Sequence, residues 1–225
     1  VNRTIRTMDD VVDLMERLPT SGLDHVERPV TSDADRMDLL DRRFTAAADR
    51  WTADASTWWD DFYADRSKPI PFFATKPDEN LVSYVERGLL TPSRPAPAGG
   101  AAAPARAQTP ARALDLVYDS GCLHHLPPHR RVSYLALLDR VLASGGHFAV
   151  ACFAAGAMGS ELPDEDFYRD GRLHGGLAYT PESLRWIFSD LTAIEIRMME
   201  EQPPDAPCFG VPFLVASLFR RPTAG

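Results

Sequence analysis

The chain has 225 residues, 44% of them hydrophobic and 25% charged, and carries 24 Lys+Arg against 32 Asp+Glu for a net charge of −8. That apolar share suits a globular protein rather than a disordered one, and no run of ~18 apolar residues predicts a membrane-spanning helix. The acidic balance argues against a nucleic-acid backbone as the main ligand, because that needs clustered positive charge.

Three cysteines, Cys122, Cys152 and Cys208, are too few for a disulfide framework and fit a reduced cytoplasm. No basic segment followed by an apolar stretch opens the chain, so secretion is not expected. The first residue is Val rather than Met, and residues 1–7 are set aside as a processed end, a tag scar or an alternative start.

Met8, Val11, Val12, Met15 and Leu18 share one helical face, and Thr7 with Asp10 forms a capping-box signature. A second amphipathic helix follows Ser32, with Asp35 at the capping position and Met37, Leu40, Phe44, Ala47 and Trp51 inward. An aromatic segment comes next, Trp58-Trp59-Asp60-Asp61-Phe62-Tyr63, continuing to Ile70-Pro71-Phe72-Phe73. Its first part suits a short helix that Pro69 and Pro71 stop. Residues 78–90 predict a further helix with Leu81, Tyr84, Val85 and Leu89 inward. Residues 92–112 consist almost wholly of Ala, Pro, Gly, Arg and Ser. Such a stretch buries too little apolar surface to offset its ordering entropy, so it reads as a flexible linker.

Strand–helix–strand patterning begins at residue 113. The run 113–118 fits a buried strand, and 127–143 a helix with Val132, Leu135, Leu138 and Leu142 inward, closed by Gly145-Gly146. The run 147–153 fits a second strand, so the two are expected to be parallel with a right-handed crossover. Thr180 caps a helix with Pro181 at its first position. Residues 191–199 and 213–220 read as two strands that pair antiparallel across a Pro-rich loop.

These segments resemble the class I S-adenosylmethionine-dependent methyltransferases. Trp59-Asp60-Asp61-Phe62-Tyr63 through Ile70-Pro71-Phe72-Phe73 is similar to the aromatic lid of the thiopurine- and tellurite-type small-molecule enzymes. Asp115-Leu116-Val117-Tyr118-Asp119-Ser120-Gly121-Cys122-Leu123-His124-His125-Leu126 resembles the family's fourth strand and the loop after it. Leu142-Ala143-Ser144-Gly145-Gly146-His147-Phe148 resembles the turn into the fifth strand, with Ser144 where the family usually has Pro. The family's D-x-G-x-G-x-G turn is absent, and the Ala/Pro linker stands where the first half of the nucleotide fold belongs.

The fold this implies is α/β, a Rossmann-like class I methyltransferase fold lacking its first strands, with an N-terminal helical extension. The division is a helical extension over 1–55, an aromatic lid over 56–91, a linker over 92–112 and the α/β half-domain over 113–225. The resemblance implies methyl transfer from S-adenosylmethionine to an O, N or S atom of a small molecule. Trp59, Tyr63, Phe72, Ser120 and Gly121 would then contact the donor.

Asp119 ends a parallel strand, where ligands of open α/β sheets bind, so it is a candidate to orient or deprotonate the acceptor. The competing reading makes it a turn cap. His124 or His125 is a candidate base, since its pKa lies near neutrality; helix capping is the alternative. Cys122, His124, His125 and His129 match no usual zinc spacing, and no metal is expected. Asp164-Glu165-Asp166 reads as part of a solvated charged loop, and His174 and Tyr179 as weak candidates to wall a substrate site. The alternative function is a cofactor-free relative acting as a binding or assembly partner. A sheet without its first strands exposes one side of strand 113–118, which predicts homodimerisation through that edge.

Overall fold

The computed structural model describes residues 2–18, 30–44, 60, 64–65, 75–90 and 114–223. The lid residues Trp59, Tyr63 and Phe72 and the linker 92–112 lie outside the described residues. Among those described, no helix is long and apolar enough to cross a membrane.

Helix α1 (Met8–Arg17) and helix α2 (Asp33–Arg42) begin with the expected capping boxes, Thr7 with Asp10 and Ser32 with Asp35. In each, the hydroxyl accepts from the third helical amide and the Asp carboxylate accepts from the cap amide. Helix α3 (Glu79–Glu86) buries Tyr84 but leaves Val85 51% exposed, so its inward face is narrower than the sequence pattern suggests.

Strand β1 (Leu114–Ser120) leads through a 3₁₀ turn (Leu123–His125) to helix α4 (Arg130–Val141) and strand β2 (Leu142–Phe153). Helices α5 (Asp164–Asp170) and α6 (Pro181–Ile187) follow, then strands β3 (Thr192–Met198) and β4 (Leu214–Arg220). Thr180 caps α6 with Pro181 at its start, as the sequence predicts.

The sheet order is β1-β2-β4-β3. β1 and β2 are parallel, while β4 is antiparallel to both β2 and β3. This is the α/β class expected, with two parallel strands joined through α4 and a closing antiparallel pair. Among the described residues β1 pairs only with β2, so it ends the sheet. Its Leu114 and Leu116 are 46% and 41% exposed.

β2 starts five residues before the expected position. The amide of Leu142 closes α4 onto Leu138 O, and Leu142 at once pairs with Leu114. The register then jumps to Leu116 with His147. Gly145 (φ 74°) sits inside this irregularity, and a Cβ on Gly146 would lie 2.9 Å from Ala143 O and 3.1 Å from Leu114 O. The Gly pair therefore serves close strand approach rather than helix termination.

One sheet face carries Phe148, Val150, Cys152, Val215 and Phe219, all fully or nearly fully buried against α1, α4, α5 and α6. Each such side chain contributes roughly 1.5–3 kcal/mol. The other face carries Ala149 and Leu218 beneath Tyr84 and Leu90.

Of residues 2–7, which the sequence reading sets aside with residue 1, Arg3 and Ile5 are buried in the core. Arg3, Arg131 and Asp164 form an ion cluster whose side chains are 0% exposed. Arg131 donates to Asp164 through both terminal nitrogens at 2.7 and 2.8 Å, and Arg3 Nη1 donates at 3.1 Å. The amides of Thr4 and Ile5 donate to Asp164 Oδ2 at 2.8 and 3.2 Å. The excess positive charge is spread onto carbonyls: Arg3 reaches Ala178, Leu162 and Ser160, and Arg131 reaches Ile5. Burial alone would raise the Asp164 pKa; the two guanidiniums outweigh it and hold the carboxylate below its ordinary range. Asp164 is thus not part of a solvated loop.

Asp164→Asn leaves two guanidiniums without their counter-charge. Urea unfolding is expected to show a loss of about 3–5 kcal/mol. A midpoint unchanged from the parent would remove the cluster from its structural role.

Candidate functional site

The carboxyl end of β1 gathers the chemistry-bearing residues the sequence singles out. Asp119 is buried, and its carboxylate is fully engaged. Oδ1 accepts the Cys122 amide at 2.6 Å; Oδ2 accepts the Leu123 amide at 3.0 Å and the Tyr134 hydroxyl at 2.6 Å. This geometry shapes the turn into the 3₁₀ segment and ties it to α4. Burial raises the Asp119 pKa, with these three donors opposing it. Cys122 is exposed, and its thiol is pushed up, first by desolvation and then by the charge of Asp119. A thiol held protonated is a poor nucleophile.

His124 and His125 follow on the turn. His124 is buried and stacks on Phe153, with ring centroids 3.6 Å apart; His125 is half-buried and lies edge-on to both. His124 O accepts the Leu177 amide at 2.7 Å, which fixes the turn against residues 174–179. Gly176 (φ 126°) makes this approach possible, because a Cβ there would meet His124 O at 2.9 Å, Phe153 at 3.0 Å and His125 Nδ1 at 3.2 Å. His125 is the more accessible of the two rings.

Ser120 and Gly121, the described donor-contact candidates, are both engaged within the protein. Ser120 Oγ donates to Asp78 Oδ2 at 2.8 Å, and the Gly121 amide donates to Ala151 O at 3.0 Å. Neither offers a free backbone cradle of the kind a glycine-rich turn supplies, so the described residues do not by themselves fit a nucleoside donor. Tyr179 and His174 do not wall a site together. Tyr179 is buried in the core with Arg131 and Arg3 over its ring, and His174 is exposed and paired with Asp170 at 3.0 Å. Among the described residues no group of three or more His, Cys, Asp or Glu is placed to hold a metal ion.

Asp78 is a residue the sequence reading missed. Standing just before α3, it has the look of an N-cap, yet it makes no cap bond; it accepts instead from the Tyr118 and Ser120 hydroxyls. Helix α3 is held over this end of the sheet by a double arginine–carboxylate chain. Arg87 grips Glu195 at 2.7 and 2.8 Å, and Arg197 grips Glu79 at 2.7 Å through both terminal nitrogens. Arg197 Nε also reaches Glu195 at 3.0 Å, which joins the two pairs. Bidentate pairs of this kind fix orientation as well as energy. Asp78 bridges to Phe209 of the β3–β4 connection. Beside them runs a groove of about 390 Å³ walled by Thr75, Lys76, Pro204, Cys208, Phe209 and Val211. Its size falls in the range of small-molecule pockets, roughly 300–1,000 Å³.

No protein-family model matches the chain, and no curated protein matches it. Among solved structures the chain is similar to the N-methyltransferase NodS from Bradyrhizobium japonicum WM9, with 19% identity and a TM-score of 0.31. That likeness covers 49% of this chain and 52% of NodS, so the chain spans about half of it. It is also similar to the Burkholderia thailandensis 1,6-didemethyltoxoflavin-N1-methyltransferase, solved with 1,6-didemethyltoxoflavin and S-adenosylhomocysteine bound. There the identity is 18%, the TM-score 0.37, and the coverage 88% of this chain and 93% of that one.

Gly176→Ala drives a methyl group into the His124–Phe153–His125 stack. The expected outcome is a loss of about 1–3 kcal/mol in denaturant unfolding, with displaced imidazole NMR signals for both histidines. Unshifted histidine signals would mean that residue 176 does not set the turn.

Proposed function

We propose that this protein carries out methyl transfer from S-adenosylmethionine to an O, N or S atom of a small molecule. The observation that supports this reading is the folding of residues 114–126. The segment that resembles the methyltransferase acceptor loop forms a strand parallel to β2 and ends in the Asp119–His125 turn.

In this reading one of His124 or His125 accepts the acceptor's proton or orients it. Asp119 is a positioning residue: with Tyr134 it holds the turn that carries the histidines. Rate enhancement then rests on orientation and exclusion of water. S-adenosylmethionine supplies the methyl group when bound. By the resemblance, Trp59, Tyr63 and Phe72 would cover the donor.

Titration calorimetry with S-adenosylmethionine and S-adenosylhomocysteine tests this. Micromolar binding that Tyr63→Ala weakens by tenfold or more is the expected result. No heat at millimolar ligand, from a protein that melts cooperatively, would overturn the reading.

A second reading, a cofactor-free partner protein, is favoured by the position of β1. Among the described residues it ends the sheet, with Leu114 and Leu116 exposed, and a strand edge left unpaired invites another strand. A homodimer through β1 is its expected form. Sedimentation at micromolar concentration checks it, with Leu116→Lys expected to dissociate the dimer and a monodisperse monomer in the parent counting against it.

A further inference from the structure

The last turn of α2 is seated on a chain of titratable groups. Asp41 Oδ1 lies 2.7 Å from His129 Nε2, and the same carboxylate pairs with Arg130. His129 is fully buried at the start of α4. Its Nδ1 is 2.8 Å from the hydroxyl of Tyr168 on α5, and its backbone amide donates to that same oxygen at 2.7 Å. Phe44 closes the assembly, with its ring 5.2 Å from Tyr168 and 6.4 Å from His129. The seat is tight: a Cβ on Gly171, the left-handed cap of α5, would lie 2.7 Å from Arg43 O.

The hydrogen inventory allows one neutral arrangement. Tyr168 accepts from the His129 amide, and its own proton finds an acceptor on Nδ1. Nε2 then carries the ring proton and donates it to Asp41. A second ring proton, on Nδ1, would face the Tyr168 oxygen and force the Tyr168 hydroxyl to turn away inside a fully buried site.

We propose that Asp41–His129–Tyr168 is a proton-operated latch: neutral His129 holds the end of α2 against α4 and α5, and protonation of His129 releases it. The charged groups facing His129 are Asp41 from α2 and Arg130 and Arg131 from α4, with Tyr168 on α5 in hydrogen-bond contact. Burial, aided by the two arginines, outweighs Asp41 and lowers the His129 pKa in the docked state. Asp41 is itself held below its ordinary range: burial would raise it, but His129 and Arg130 prevail, so it stays ionised through the relevant pH window.

The sign follows from linkage. A histidine whose docked pKa lies below the free value of about 6.5 favours docking fully above that pH. The advantage is lost as pH falls from about 6.5 toward the docked pKa, by up to about tenfold in the docking equilibrium per unit.

Hydrogen exchange of the full chain at about pH 7.5 and 5.5, corrected for intrinsic rates, tests the latch. Protection over residues 38–44 is expected to drop at the lower pH, by up to about tenfold, while β2 holds its own. His129→Gln is expected to abolish that difference. Equal protection at both pH values, a drop that β2 shares, or the same response in His129→Gln would overturn the proposal. Should His129→Gln not fold, the imidazole NMR titration of the parent decides: a ring that titrates below 6.5 supports the latch, and one already charged at neutral pH overturns it.

Discussion

One carboxylate, Asp164, joins three parts of the chain that are far apart in sequence. It opens helix α5, residues 3–5 and helix α4 bond to it, and the Arg3, Arg131 and Asp164 side chains are sealed from water. Two guanidiniums on one carboxylate leave a net positive charge inside the protein. The structure resolves that surplus with carbonyl oxygens from residues 5, 160, 162 and 178 and with the faces of Phe167 and Tyr179. Without these acceptors desolvation would make the cluster costly rather than stabilising. With them, the cluster dictates where the N-terminal segment enters, how α5 lies on the sheet and where residues 174–179 run.

From there the constraint passes to the candidate site. Residues 174–179 meet the His124–His125 turn through Gly176 and the Leu177 amide. The turn is fixed from its other side by Asp119 and Tyr134. On the opposite sheet face, the Arg87–Glu195–Arg197–Glu79 chain locks α3, and α3 presents Asp78 to Tyr118 and Ser120. Two separate ionic systems, one buried and one partly exposed, thus converge on the carboxyl end of β1.

Much of this architecture is legible in the sequence because local chemistry and global fold agree. Thr7 with Asp10, Ser32 with Asp35, and Thr180 before Pro181 mark three helix starts correctly. The parallel β1/β2 pair and the antiparallel β3/β4 pair follow from their apolar runs. What stays hidden are the long-range polar contacts. Asp164 reads as part of a solvated charged loop and Arg3 falls in the segment set aside, and only the fold brings both together with Arg131 in a buried cluster. Gly145-Gly146 reads as a helix stop because close strand approach demands the same residue. The position of Asp119 and the two histidines at the end of a parallel strand is legible, whereas the contacts of Asp78 and Tyr134 there are not, since their partners lie 42 and 15 residues away.

The central claim is that Arg3 and Arg131 are both sealed inside the folded chain on Asp164. Proton–nitrogen NMR of the guanidinium groups in heavy water examines this directly. Resolved Arg3 and Arg131 signals that persist long after the exposed arginines have exchanged are the predicted result. Exchange of both at the rate of the exposed arginines would contradict the account.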